Sequence, residues 1–284
     1  MAEPTVRTRQ LGGELARHRD AAGLKINDAA ERLGWPASKL SRIEKGRLGV
    51  KPADLDALMD VCGITDAAKR DVLHHMARHG RQRGWWQTYR DIISPAYADL
   101  ISLEDGARSM RTYESILIPG LLQTAAYARA TIEAIRMDST PEEVDALVDV
   151  RMARQSVLSR REPLELWAVI HEAALRPRVK GQPQMMKEQL QTLLDKQRLP
   201  HVSIQVLPLD APPHAGMSGS FAVLGFPETA DLDVVLVESL TSALYVEDTA
   251  EVRRYGGAFE RLRAAALPFD ASADLIEQLK DSIS

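Results

Sequence analysis

Cysteine is almost missing from this chain: Cys62 is the one thiol in 284 residues. An intramolecular disulfide is excluded, and so is a thiolate cluster around a metal. No apolar run approaches the roughly 18 residues of a membrane-spanning helix. The opening stretch, MAEPTVRTRQ, is polar and lacks the apolar core of a signal peptide, so the expected compartment is the cytoplasm. Catalytic signatures are missing too. There is no HExxH, no CxxC pair, no Walker-type lysine after a glycine-rich loop and no GxSxG elbow around Ser218 or Ser220. The expectation is a protein that is not an enzyme and holds neither a metal nor a cofactor. Solenoid repeats and low-complexity segments are also absent.

What is present is an ordinary globular composition, 45% hydrophobic and 27% charged. The length suits one large domain or two ordinary ones. The net charge of −4 conceals a split. Residues 1–84 carry 16 Lys and Arg against 11 Asp and Glu, an excess of five positive charges; the remainder carries 20 against 29, an excess of nine negative. The basic end can approach a polyanion, which the acidic body would repel.

Residues 9–79 read as five short helices. Leu11 and Leu15 share one face of the first, which ends near Gly23. Ala29 and Leu33 form the inner side of the second, which stops at Gly34. Pro36 opens the third, and Gly46 closes it in the left-handed conformation that glycine adopts without steric cost. Pro52 starts a fourth, with Leu55, Leu58, Met59 and Cys62 inward and Gly63 as its stop. Thr65 is the expected cap of a fifth, with Val72, Leu73 and Met76 inward and Gly80 at its end. Residues 80–86, GRQRGWW, read as a short cationic connector, after which Trp85 and Trp86 begin a new core. The expected domains are an all-α unit over 1–80 and a second over 81–284.

The second half mixes helix and strand. A helix near 95–106 leads into a strand near 108–117, and Thr124 caps a helix burying Tyr127, Ala128, Ile132 and Ile135. Ser139-Thr140-Pro141-Glu142-Glu143 is a helix start with hydroxyl cap, first-turn proline and first-turn acids, and its helix runs through RMARQSVL. LELWAVIH at 164–171 reads as a strand, followed by a helix near 184–197. HVSIQVLPL alternates, with Val202, Ile204 and Val206 on one face and Ser203 and Gln205 on the other. GSFAVLGF, DVVLVES and ALYVED give three further strands, and helices near 249–266 and 272–283 finish the chain. The expected fold is multidomain: a five-helix domain followed by an α+β domain with a mostly antiparallel sheet.

Residues 24–47 carry the strongest functional signal. In LKINDAAERLGWPASKLSRIEKGR, two short helices meet at Gly34-Trp35. Ser38, Ser41, Arg42 and Lys45 fall at spacings of three, four and seven and so share one side of the second helix, while Leu40 and Ile43 point the other way. A helix that buries one side and offers hydroxyls and cations on the other suits the DNA major groove.

The words AGL, AAERLG, SKLSRIEKG and the trailing Arg47, set among five helices with these glycines, resemble the lambda-repressor/Cro-like helix-turn-helix. The resemblance covers about a quarter of the chain and implies binding to double-stranded DNA. It implies that Ala37, Ser38, Lys39 and Arg42 face the bases, with Arg42 suited to bidentate contact with guanine and Ala37 limited to a methyl contact. The competing reading of Arg42 is a solvated face or a salt bridge to Glu44 or Glu31. Lys45 and Arg47 are expected at phosphates. The family's second helix opens with a Thr or Ser cap and then Gln, but here Lys25 and Ile26 stand in those places. Asn27 is expected to take over the cap, and Lys25 and Asn27 complete the phosphate-facing set. Glu44 is expected to pair inward with Arg19 or Arg32, in a structural role.

The second half carries IPGLLQTAAYARA, RMARQSVL, HEAALR, EQLQTLL, VSIQVLP, HAGMSGSFAVL and VVLVES in this order. Together they resemble the WhiJ-type regulators of actinomycetes over about 85–267. That resemblance implies a regulator of development or antibiotic production and a small BldB-like partner protein, in an antitoxin-like arrangement.

Other residues of the second half are open to two readings. Glu172 and Glu238 both end apolar strands: they either face one cavity that receives a cationic ligand or a partner's arginine, or lie in solvent. Trp85, Trp86 and Tyr89 serve either packing or a ligand or protein surface. His171, His201 and His214 are the candidate metal or acid/base set, but they lack metal-ligand spacing, and His171, which closes a strand, reads instead as a hydrogen-bonded rim position. The alternative function is a regulator that senses a small molecule through a pocket in the second domain. Under either reading a homodimer is expected, because one recognition helix reads only a few base pairs.

Overall fold

The computed structural model describes residues 4–79, 84–176, 182–227 and 232–283. Residues 80–83, which hold the expected Gly80 stop and most of the expected connector, lie outside them. The chain forms two compact units, Met1–Gln87 with Tyr97–Leu103, and Thr88–Ala96 with Glu104–Ser284.

The first unit holds α1 (Val6–Ala21), α2 (Ile26–Arg32), α3 (Ala37–Glu44), α4 (Pro52–Val61) and α5 (Ala67–His79). Their ends follow local chemistry. Thr5 Oγ1 accepts the Thr8 amide at 3.2 Å to start α1. Pro52 sits in the first turn of α4, where a missing N–H costs nothing. Gly23, Gly34, Gly46 and Gly63 all take positive φ just past their helices. Two caps differ from expectation. The α5 cap is Asp66, the residue immediately before the helix, whose carboxylate accepts the Ala68 and Lys69 amides at 2.9 and 3.3 Å; Thr65 lies one position too early. At α2 the cap position is Lys25, and the Asp28 carboxylate reaches back to accept the Lys25 amide at 3.3 Å, so Asn27 is not the cap. Leu11, Leu15, Ala29, Leu40, Ile43, Leu55, Leu58, Met59, Cys62, Leu73 and Met76 form the core, while Leu33 and Val72 are only half-buried.

The second unit is built on α6 (Pro95–Gly106), β1 (Ser109–Glu114), α7 (Ala125–Ile135), α8 (Pro141–Arg154), β2 (Glu165–His171), α9 (Glu172–Leu175), α10 (Pro183–Lys196), β3 (Val202–Leu207), β4 (Phe221–Gly225), β5 (Val234–Glu238), β6 (Ala243–Val246), α11 (Thr249–Ala265) and α12 (Phe269–Asp281). Only part of α6 belongs to it. The α8 start is the expected capping box: Thr140 Oγ1 accepts the Glu143 amide at 3.3 Å, and the Glu143 carboxylate accepts the Thr140 amide at 2.9 Å.

The six strands form one sheet in the order β3-β2-β1-β4-β5-β6. Three pairings are antiparallel, β1–β4, β4–β5 and β5–β6; β1–β2 and β2–β3 are parallel. The parallel half follows from the helical crossovers, α7 with α8 and α9 with α10, since parallel neighbours need a long return. Its central strand is covered on both faces: Leu166, Ala168, Val169 and Ile170 are all buried. One face packs Tyr113, Val169, Val223 and Val235 against Val252, Phe259 and Leu262 of α11. The alternation in β3 is not a solvent pattern. Gln205 is buried, accepting the Trp167 indole N–H at 3.0 Å and donating to the Leu267 carbonyl at 2.9 Å.

A buried ion pair joins the end of α6 to the end of α8. Arg154 Nε and Nη2 donate to Glu104 Oε2 and Oε1 at 2.8 and 2.5 Å. Among the described residues, no helix is long and apolar enough to cross a membrane.

Candidate nucleic-acid interface

The recognition helix α3 is short, eight residues, and its placement is determined from three directions. Leu40 and Ile43 are fully buried against the other helices. The turn before it bends at Gly34 (φ +64°), where the Trp35 amide returns to the Ala30 carbonyl at 2.8 Å. The turn after it closes at Gly46 (φ +66°), with the Arg47 amide on the Arg42 carbonyl at 2.8 Å.

The third restraint is close contact with α1. A Cβ on Gly12 would lie 2.3 Å from the Glu44 carbonyl oxygen, and one on Gly46 would lie 2.8 Å from the Arg9 amide nitrogen. Both glycines are therefore needed for α1 and the end of α3 to approach. Between them, Arg19 grips Glu44: Nε donates to Oε1 at 2.7 Å and Nη2 to Oε2 at 3.1 Å. Arg19 Nη1 also donates to the Leu24 carbonyl at 2.7 Å and pairs with Asp20. The Glu44 hydrogen bond raises the Arg19 pKa against the opposing effect of burial, so the guanidinium stays charged. Of the two expected partners of Glu44, it is Arg19 that pairs.

On the outer side, Ser38 and Arg42 are exposed and Ala37 is half-buried. No ion pair to Glu44 or Glu31 engages Arg42 among the described residues, which leaves its guanidinium available. Lys45, Arg47, Lys25 and Asn27 are likewise exposed at the ends of α3 and the start of α2. Lys39 differs from its expected base-facing role. Its Nζ lies 2.9 Å from Asp54 Oδ2 and 3.7 Å from the centre of the Trp35 ring. Asp54 on α4 comes near only through tertiary packing, so the α3 sequence alone did not reveal it.

The residues singled out in the second half do not assemble into a site. Glu172 is buried and satisfied internally: Arg176 Nε donates to Oε1 at 2.8 Å and the Leu209 amide to Oε2 at 3.0 Å. Burial pushes its pKa up, but Arg176 and the Leu209 amide outweigh it and hold the carboxyl below its ordinary range. Glu238 is exposed at the end of β5, three strands away from β2, a separation of about 14 Å at the usual strand spacing. The two carboxylates therefore do not share the cavity considered above. Trp86 is buried, and Trp85 is partly exposed with its ring edge-on to Trp86. Tyr89 ends the short turn that begins at Trp85.

Two of the three histidines bond to the backbone, while His214 lies beside the Tyr113 and His171 rings with its Nδ1 buried and without a hydrogen-bond partner among the described residues. His171 Nδ1 accepts the Ala173 amide at 3.2 Å, capping the unexpected short helix α9, and His201 Nε2 lies 2.8 Å from the Leu158 carbonyl. No group of three or more metal-binding side chains comes together among the described residues. Gly216 is a packing glycine, for a Cβ there would meet the Tyr113 ring at 2.4 Å.

Sequence reasoning overlooked Glu114, at the end of β1. Burial pushes its carboxyl up to about 7, with Glu238 adding to the rise and Ser220 and Arg151 opposing it. Its position at the end of a strand beside Ser115 was the available signal. The first unit has two cavities among its described residues. One is a void of about 10 Å³ among Leu11, Ile43 and Met76, and the other an open cleft of about 260 Å³ bordered by His18, Cys62 and Lys69.

A short amphipathic helix fixed across its neighbours, with a free arginine on the outer face, defines the first unit as a DNA-binding helix-turn-helix of a regulator. The comparison with known families agrees: residues 10–73 match the helix-turn-helix domain. Residues 97–278 match the domain of unknown function DUF5753, and the chain belongs to that family. No curated protein and no solved structure matches the chain.

Proposed function

We propose that this protein is a sequence-specific transcription regulator that reads its operator as a homodimer and has no catalytic role. The observation that carries the reading is Arg42, exposed and without an ion pair among the described residues, on a helix whose inner face is buried and whose end is held by Arg19 and Glu44. Arg42 is the guanine-reading side chain, Ser38 and Ala37 assist it, and Lys45, Arg47, Lys25 and Asn27 hold phosphates. The eight residues of α3 span about 12 Å. A single copy thus reads few base pairs, and a pair about 34–36 Å apart doubles the site.

The WhiJ-type resemblance adds an antitoxin-like role and a BldB-like partner for the second domain. Support for both is the ordered sequence words, since Glu172 is already occupied by Arg176 and Leu209. Genomic binding-site mapping followed by titration on the recovered site and on random duplex tests the main reading. Arg42→Ala should lose about 1–3 kcal/mol of discrimination, whereas Lys45→Ala should weaken both duplexes alike and lower the salt slope by about 1. Equal losses on both duplexes for Arg42→Ala would overturn the assignment.

A further inference from the structure

Arginine meets glutamate in one repeated geometry in this protein. The guanidinium edge formed by Nε and Nη2 lies against a carboxylate in Arg19 with Glu44, in Arg154 with Glu104 and in Arg176 with Glu172. That edge carries two parallel N–H groups and matches the two oxygens of a carboxylate. Arg151, about one turn before Arg154 on α8, presents the same edge without a carboxylate. Its Nη1 donates to Gln123 Oε1 at 2.9 Å, but its Nε is buried with no hydrogen-bond partner among the described residues. Among the same residues Nη2 has none either, and no ion pair engages Arg151.

Buried groups hold Arg151 in this orientation. Gln123 is 3% exposed, and its Nε2 donates to the Ile118 carbonyl at 2.7 Å. Its backbone carbonyl accepts Gln155 Nε2 at 2.7 Å, and the next amide, that of Thr124, donates to Gln189 Oε1 at 2.7 Å. The Gln123 amide is thereby fixed, and it takes Nη1 while leaving the Nε–Nη2 edge open. A buried N–H without an acceptor is costly, so one held in place this way marks a position where an acceptor belongs.

The surroundings suit an anion of single charge. Arg151 is only half-buried, as are Glu114, Ser115 and Ser220 at the strand ends, so the edge can be reached. Tyr113 packs toward α11, and Glu114, the next residue of β1, therefore turns to the opposite face. There it interacts electrostatically with Arg151 of α8, and Tyr127 of α7 interacts with both. Ser220 before β4 and Glu238 at the end of β5 complete the groups around its carboxyl. Burial lifts the Glu114 pKa to about 7, with Glu238 adding to the rise, so below neutrality it is largely uncharged and does not repel an anion beside Arg151. A phosphate dianion would meet more repulsion from Glu238 and the titrating Glu114 than one guanidinium offsets.

We infer that the Nε–Nη2 edge of Arg151 is a binding site for the carboxylate group of a small ligand, beyond the carboxyl end of β1. Open sheets with helical crossovers take ligands at that end of their strands. The inference is independent of the DNA reading.

Acetate is the probe, titrated into the full chain against chloride at equal ionic strength. The side-chain Nε–H resonance of Arg151, assigned by its loss in Arg151→Lys, reports the contact. In the unaltered protein it should shift to saturation with acetate and not with chloride. Arg151→Lys keeps the charge but not the fork, and should weaken acetate binding at least about tenfold, followed at the Gln123 side-chain amide. Between about pH 6 and about pH 8 the unaltered protein should lose affinity several-fold as Glu114 ionises, whereas Glu114→Gln should show little pH dependence. A shift that never saturates, or that chloride reproduces, would overturn the site and leave DNA reading intact. That measurement needs no variant, so it decides the matter even where Arg151→Lys misfolds. Phosphate binding more tightly than acetate would overturn the carboxylate assignment, and a pH dependence retained in Glu114→Gln would remove Glu114 from the site.

Discussion

Glu44→Ala is the most direct test of how α3 is held. The Arg19 and Glu44 side chains are 10% and 9% exposed, so their pair sits in a poorly hydrated place between α1 and α3. Removing one partner of a buried pair costs about 3–5 kcal/mol, because the other charge stays behind unpaired. Arg19 retains the Leu24 carbonyl and Asp20, which places the expected loss nearer 2–3 kcal/mol on that scale. The loss should be local. Amide exchange in α1 and α3 should accelerate, while amides of β1, β2 and β4 should keep their protection. DNA affinity should fall together with the protection of α3, but base preference should remain, since Arg42 is untouched. Replacing both partners, Arg19→Met with Glu44→Leu, should restore much of the stability. Unchanged exchange in α3 for Glu44→Ala would refute the claim that this pair positions the helix.

Gly46→Ala should destabilise the first unit by about 1–3 kcal/mol, seen as a lower melting temperature; its φ of +66° and the Arg9 amide 2.8 Å from a new Cβ act together. Asp54→Ala releases Lys39 and removes a negative charge beside α3, so binding to random duplex should tighten and its salt slope steepen by about 1. Lys39→Ala should cost about 1 kcal/mol of stability or less and leave base preference unchanged, measured by urea unfolding and duplex titration. Glu114 sets a pH dependence. Its carboxyl releases its proton near 4.5 in the unfolded chain and at about 7 when folded, so the folded state holds the extra proton between those values. Stability from this group should therefore fall as pH rises from 4.5 to about 7 and level off above, by at most about 3 kcal/mol. Glu114→Gln should flatten that slope in unfolding curves across the range.

Most of the first unit was legible because its signals are local. A glycine past a helix, a proline at its start and apolar residues three and four apart act over one or two turns, and the first four helices lie where these marks put them; the Gly80 stop of the fifth lies outside the described residues. The exposed arginine and serine of α3 follow from the same spacing. The misreadings there, Thr65 for Asp66 and Asn27 for Asp28, are contests between neighbouring side chains that geometry decides.

The second unit was legible in its elements and not in their assembly. The Thr140–Glu143 capping box stands as written in the sequence, and each strand lies close to its alternating or apolar run. Strand order joins residues far apart in the chain. β1 pairs with β2 and β4, and no local pattern announces which neighbour is parallel. That order separates Glu172 from Glu238, commits Glu172 to Arg176 and Leu209, and brings Glu114 near Glu238.

The sequence by itself determined the two-part plan, the helix-turn-helix and the exposed arginine on its third helix, because periodicity and caps are properties of a few adjacent residues. Only the tertiary structure decided that Lys39 is bound to Asp54, that Arg19 is the partner of Glu44, and that Glu172 is committed to Arg176 and Leu209. Those depend on which distant segments pack together, and packing is settled by the burial of the whole core.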